Sequence, residues 1–219
     1  MNRWPRMKTL RAKRHTYLLA IVFGAGTQFL GIAQTATKLP PRVPLTIGVV
    51  EGNTYKNSSL GLEFTPSPGL RFSAPELKGT PGSVPLLVTV GAWSGRSMVS
   101  ANRGTVFYAD DLGYYPEDRR STRAYVERVV RNEKNEGLDL VEGAVEGQLG
   151  GVTLARVDFR QSSLYEIVLI KACEVYAFVF IFAAEDLDSA NALIAQTKIK
   201  IDMAVSGCRA MTEGPPQKK

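Results

Sequence analysis

The chain carries one histidine, His15, which sits among basic residues near the start. The rest of the sequence therefore lacks the usual general base for a serine or cysteine nucleophile and the usual ligand for zinc or a transition metal. Carboxylates are what remains for acid–base or metal chemistry. Asp110-Asp111 is the best-placed pair, because it follows an apolar stretch and opens a loop. Close carboxylates push each other's pKa values apart. Neighbours in sequence usually point in different directions, so a solvated turn is the competing reading. Asp186-Leu187-Asp188 hints at a calcium loop. It lacks the third ligand, the central glycine and the closing glutamate, and helix capping accounts for both aspartates. Ala92-Trp93-Ser94-Gly95 departs from the G-x-S-x-G pattern of a nucleophile elbow and has no triad partner. Gly147-Gln148-Leu149-Gly150-Gly151 is not followed by a helix, so it is not read as a phosphate cradle. No catalytic residue, metal ligand or cofactor is assigned.

Other residues suit recognition or cross-linking. Trp93, Tyr114 and Tyr115 are candidate interface anchors, since aromatic side chains carry much of the binding energy at protein contacts. Both tyrosines fall in a loop before Pro116, and packing beneath that loop is the alternative. Arg119 and Arg120, with Arg123, make a basic cluster that either meets an acidic partner or is simply solvated. Cys173 and Cys208 are the only cysteines. They form either a disulfide, closing a loop of about 35 residues, or two free thiols.

The elements that position these groups begin after a segment of different character. Of 27 Lys and Arg residues, six (Arg3, Arg6, Lys8, Arg11, Lys13 and Arg14) lie within the first 33 positions, which hold no Asp or Glu. The remainder balances its 21 acidic residues with equal basic charge. The pI near 9.4 thus belongs to this segment, and nucleic acid is not expected as a partner. An apolar stretch runs from Tyr17 to Ile32, and Gly31 and Ala33 supply small residues before a cut after Ala33. This is the layout of a secretory signal peptide at residues 1–33. The expected location is extracytoplasmic, either periplasmic or secreted. An uncleaved anchor is the alternative, and only then is the membrane a direct partner.

Residues 34–44 contain Pro40, Pro41 and Pro44 and read as a linker, and 207–219 reads as a disordered tail. One domain is left, 45–206. Short strands are expected at 53–56, 60–65, 86–93 and 104–109. A helix follows from about Pro116 to Glu136, stopped by Gly137 and striped by Ala124, Tyr125, Val126, Val129 and Val130. Gly150-Gly151 signals a hairpin between strands 138–148 and 152–160. Strand 164–173 follows, and then Val175–Ala184 is apolar throughout. A strand apolar on both faces must be covered on both faces. A second helix, capped by Asp186 or Asp188 and striped by Leu187, Ala190, Leu193 and Ile194, supplies one cover. The expected fold class is α+β: a central, mostly antiparallel sheet with helices on both faces.

Tyr55-x-Asn57, Gly61-Leu62-x-Phe64 and Pro68-Gly69-Leu70, followed by this order of elements, resemble the PsbP-like proteins. Those proteins share the Mog1/PsbP α/β/α sandwich. The resemblance covers about Asn53 to Ile201, and Leu70 stands where the family often has tryptophan. It implies a mostly non-enzymatic role. The namesake is an extrinsic subunit on the luminal side of photosystem II, the yeast relative binds a small GTPase, and bacterial relatives are often exported proteins. Metal contacts in the photosynthetic members involve histidines, so no functional residue is carried over. The expected function is an exported, non-catalytic accessory or binding protein whose partner is an extracytoplasmic protein or an envelope component. A small-ligand carrier, and a carboxylate- or metal-dependent hydrolase using Asp110, Asp111 and Glu117, are the alternatives.

Overall fold

The apolar run late in the chain forms a central strand of the larger of two antiparallel sheets. The computed structural model describes residues 45–79, 87–95, 102–112, 121–161, 164–173 and 175–206. In chain order the strands are β1 (Val49–Glu51), β2 (Thr54–Asn57), β3 (Leu62–Thr65), β4 (Arg71–Phe72), β5 (Glu76–Lys78), β6 (Leu87–Trp93), β7 (Gly104–Asp111), β8 (Asp139–Leu149), β9 (Val152–Gln161), β10 (Leu164–Ala172), β11 (Tyr176–Ala184) and β12 (Lys198–Ile201). The helices are α1 (Thr122–Asn135), between β7 and β8, α2 (Leu187–Gln196), before β12, and the short α3 (Met203–Ser206). The large sheet runs β4-β6-β7-β11-β10-β9-β8, with β5 also on β6. The small sheet runs β1-β2-β3-β12.

The period of two along β11 sends Phe178, Phe180 and Phe182 to one face and Ala177, Val179 and Ile181 to the other, and all six are buried. The phenylalanine face meets Tyr55, Leu62 and Phe64 of the small sheet together with Ala190 and Leu193 of α2. Ring centroids of Phe180 lie 5.1 Å from Phe107 and 5.9 Å from Phe64, so aromatic contacts join the sheets. The opposite face packs Val157, Phe159, Val168 and Ile170 against Tyr125, Val126 and Val129 of α1.

This arrangement corrects the expected α/β/α sandwich with helices on both faces. Strands hold 54% of the described residues and helices 21%. Apolar cover on the phenylalanine face comes largely from a second sheet. A both-sided apolar strand requires burial but does not say whether sheet or helix provides it. Among the described residues of the opposite face, α1 packs mainly on β8, β9 and β10 rather than on β6 and β7.

Local chemistry sets the element ends. The expected helix from Pro116 instead begins at Thr122. Ser121 has extended backbone and accepts a bond from the Ala124 amide at 3.2 Å, which makes it the N-cap. At the other end Gly137 takes a positive φ of 84°. Its N–H reaches Lys134 O, and Leu138 N–H reaches Glu133 O, which is a Schellman closure. Asp186 caps α2 through the Ser189 amide at 2.7 Å. Leu187, expected in the buried stripe, is 38% exposed, because it sits at the first position after that cap. Gly150 and Gly151 turn the β8–β9 hairpin with φ of 57° and 82°. β3 starts at Leu62 rather than Leu60, since the turn after Asn57 includes Gly61 at φ 60°.

Candidate functional site

Asp110 and Asp111 end β7, and the strand's pleat sends them to opposite faces of the large sheet. Asp110 shares the α1 face with Val106 and Tyr108. Its Oδ2 accepts hydrogen bonds from the Tyr125 hydroxyl at 3.2 Å and from Arg128 Nη2 at 3.1 Å. The spacing of Tyr125 and Arg128, one helical turn apart, lets both reach one carboxylate. The guanidinium also lies 4.6 Å from the centre of the Tyr125 ring. Asp110 Oδ1 is buried and finds no hydrogen-bond partner. Burial pushes the Asp110 carboxyl above its ordinary value, and the Arg128 charge and its bond and the Tyr125 bond offset only part of that rise. Burial likewise raises the phenols of Tyr125 and Tyr108, with Asp110 adding to the rise at Tyr125. The carboxyl is buried behind a cation and a phenol. Its work is to hold α1 against β7, and the two carboxylates do not converge on a common point.

Trp93 sits at the far end of the same face. Its register partners are Gly104 on β7 and Arg71 on β4. The indole lies flat across the sheet over Gly91 and Gly104. A Cβ at those positions would fall 2.3 Å and 2.4 Å from ring atoms, so these glycines clear the bed on which the ring rests. Thr89, Trp93, Val106 and Tyr108 are all half-buried. They form a partly open strip beside the helix.

A second ion pair lies on the opposite face. Arg156 and Asp158, two apart on β9, pair through Nε–Oδ1 and Nη2–Oδ2, both at 2.8 Å. Arg156 Nη1 also donates to Asn191 Oδ1 of α2 at 3.0 Å, and the Tyr165 hydroxyl donates to Asp158 at 3.4 Å. The network fastens α2 to the sheet. The alternation of β9 places Arg156 and Asp158 on one face, but nothing in the sequence names Asn191 as their partner.

The Tyr55-x-Asn57 motif also does structural work. Asn57 Nδ2 donates to Thr46 O at 2.8 Å and to the Tyr55 hydroxyl oxygen at 2.9 Å, while Oδ1 accepts from Ser59 Oγ and the Leu60 amide. One amide thereby pins the incoming chain and closes the β2–β3 turn.

The outer rim of the large sheet is β8, with no described strand on its far side. Its residues from Val141 to Glu146 are exposed, and its pairing with β9 shifts register between Leu140 and Glu142 and again between Glu142 and Val145. Asp139, Glu142 and Glu146 lie on it, with no basic residue.

Of the interaction candidates Trp93 and Arg123 are among the described residues, and Arg123 pairs with Glu127 through Nε–Oε1 at 2.9 Å on the exposed side of α1. Tyr114, Tyr115, Arg119 and Arg120 lie outside them. Cys173 is disulfide-bonded. The sequence's other cysteine, Cys208, lies outside the described residues. Among the described residues no group of three or more His, Cys, Asp or Glu could hold a metal ion, and no helix is long and apolar enough to cross a membrane. No family model matches the chain, and no curated protein matches it.

Proposed function

We propose that the protein is an exported, non-catalytic accessory or binding protein that engages another extracytoplasmic protein or the envelope. The observation that carries this reading is the strip at Trp93, where a half-buried indole rests on a glycine bed beside Val106 and Tyr108. A braced aromatic ring loses little freedom on binding and gives large contact area, as interface anchors do. Asp110 and Asp111 lie on opposite faces of the sheet, so they do not act as a pair. Removal of residues 1–33 leaves a chain of balanced charge, which suits contact with a protein surface better than with a polyanion. Kinship with the PsbP-like proteins belongs to the same proposal and rests on the Tyr55-x-Asn57, Gly61-Leu62-x-Phe64 and Pro68-Gly69-Leu70 motifs.

The test is affinity capture from an envelope fraction with wild type and the Trp93→Ala variant. Circular dichroism and a melting curve accompany it to show that the variant folds. A defined partner recovered by wild type and lost by the folded variant is expected. Recovery that is identical for both, or no partner above a blank, overturns the reading. Intact-mass measurement on exported material should place the first residue at or near Gln34, and a retained Met1 would remove the cleavage.

A further inference from the structure

A long sheet rim is a liability unless it is blunted or used, because its outward N–H and C=O groups template pairing with any extended chain. β8 is 11 residues long and contains no proline. Val141 and Val145 are 52% and 40% exposed, so the rim offers apolar contact as well as hydrogen-bonding groups. Charge selects among possible occupants. In the pairing with β9, Val145 faces Arg156 and Glu142 faces Asp158 on one side of the sheet, while Glu146 faces Ala155 on the other. Carboxylates therefore flank the rim on both sides. A second copy docking rim to rim would bring Glu142 and Glu146 close to an equally acidic rim, and like charges across a strand pair destabilise it. Arg156, bound to Asp158 and Asn191, also lies within the field of Glu142, and Arg160 faces Asp139, so Glu146 carries the least compensated charge of the rim.

We propose that β8 is a docking edge for an extended segment of a partner protein in which Lys or Arg alternates with apolar residues. The segment adds as an extra strand. Main-chain bonds to β8 hold it, its apolar residues cover Val141 and Val145, and its cations meet Glu142 and Glu146. This surface is separate from the Trp93 strip, so either proposal stands if the other fails.

The probes are synthetic peptides as long as β8: one alternating Lys and Val, one with the same residues in two blocks, and one with Glu replacing Lys. Binding is followed by fluorescence anisotropy at low and physiological salt, and hydrogen exchange is read by mass spectrometry. The alternating peptide should bind, and amides of 139–149 should gain protection on binding. The double variant Glu142→Lys, Glu146→Lys should weaken it by about ten-fold or more, since two attractive pairs are lost and reversal adds repulsion. Val145→Pro, checked for folding by its melting curve, should also weaken it. Equal binding of the block peptide would mean that charge alone attracts, and protection outside β8 would place the site elsewhere. Self-association of the free protein through β8 would make a second copy the occupant. Any of these three overturns the proposal, as does the absence of binding.

Discussion

Replacing Phe180 with alanine tests the joint between the two sheets. The ring is fully buried and lies against Phe107 of its own sheet and Phe64 of the other. Returning a buried phenylalanine side chain to water costs about 2–3 kcal/mol. The two ring contacts add about 1–2 kcal/mol together. The variant should therefore lose about 3–5 kcal/mol, the range of large-to-small core changes that leave a cavity. For a domain of this size that corresponds to a fall of roughly 10 °C in Tm. Urea unfolding followed by circular dichroism measures it, and the slope against denaturant should stay unchanged so that the midpoint reports stability. The Phe64→Ala, Phe180→Ala double variant completes the test. Residues in contact couple by about 0.5 kcal/mol or more, whereas distant ones add. A loss below about 1 kcal/mol, or strict additivity with Phe64→Ala, would refute the claim that this ring joins the sheets.

Asp110 gives a pH prediction. Its folded pKa is raised by burial above the ordinary carboxylate value of 3.8. The folded state then holds the proton more tightly, so the contribution is complete below 3.8 and is lost as pH rises through the raised value. Asp110→Asn mimics the protonated form, and its stability relative to wild type should rise between acid and neutral pH. A relative fall across that window in urea midpoints would reverse the argument. Gly104→Ala places a methyl against the Trp93 ring and should cost about 1–3 kcal/mol by overpacking. Near-ultraviolet dichroism should change with it, and an unchanged spectrum would mean that the indole does not lie there. Reduction should lower stability by about 2–4 kcal/mol through loss of the Cys173 bridge. Alkylation without prior reduction should add no mass, and labelling of native protein would contradict the bridge.

The larger elements were legible because their signals are local. Gly150-Gly151 between alternating runs gives the hairpin, Gly137 gives the end of α1, and the both-sided apolar pattern of β11 gives a buried central strand. The small sheet was not legible as a layer. Lys198–Ile201 alternates plainly, but its partner is β3, and a four-residue pattern carries no information about a pairing so distant in sequence. The start of α1 was misplaced because Pro116, Glu117 and Asp118 suit a first turn, whereas Ser121 forms the observed cap. At the site, the period of two already separates Asp110 from Asp111. The hold of Tyr125 and Arg128 on Asp110 depends on where α1 docks, which tertiary packing decides. The place of Trp93 on Gly91 and Gly104 joins residues of two strands and has no one-dimensional signature.

The pairing of β12 with β3 has a consequence for assembly. Hairpins within either sheet can close as soon as their own strands exist, but the small sheet is completed only when nearly the whole domain is present. Its last rung is a contact of high sequence separation, which folds late because the intervening chain has to be ordered first. A ribosome stalled before Lys198, or a protease that trims back past Ile201, would therefore release a molecule with β3 uncovered along one side. Such a molecule would be prone to recruit strands from its neighbours.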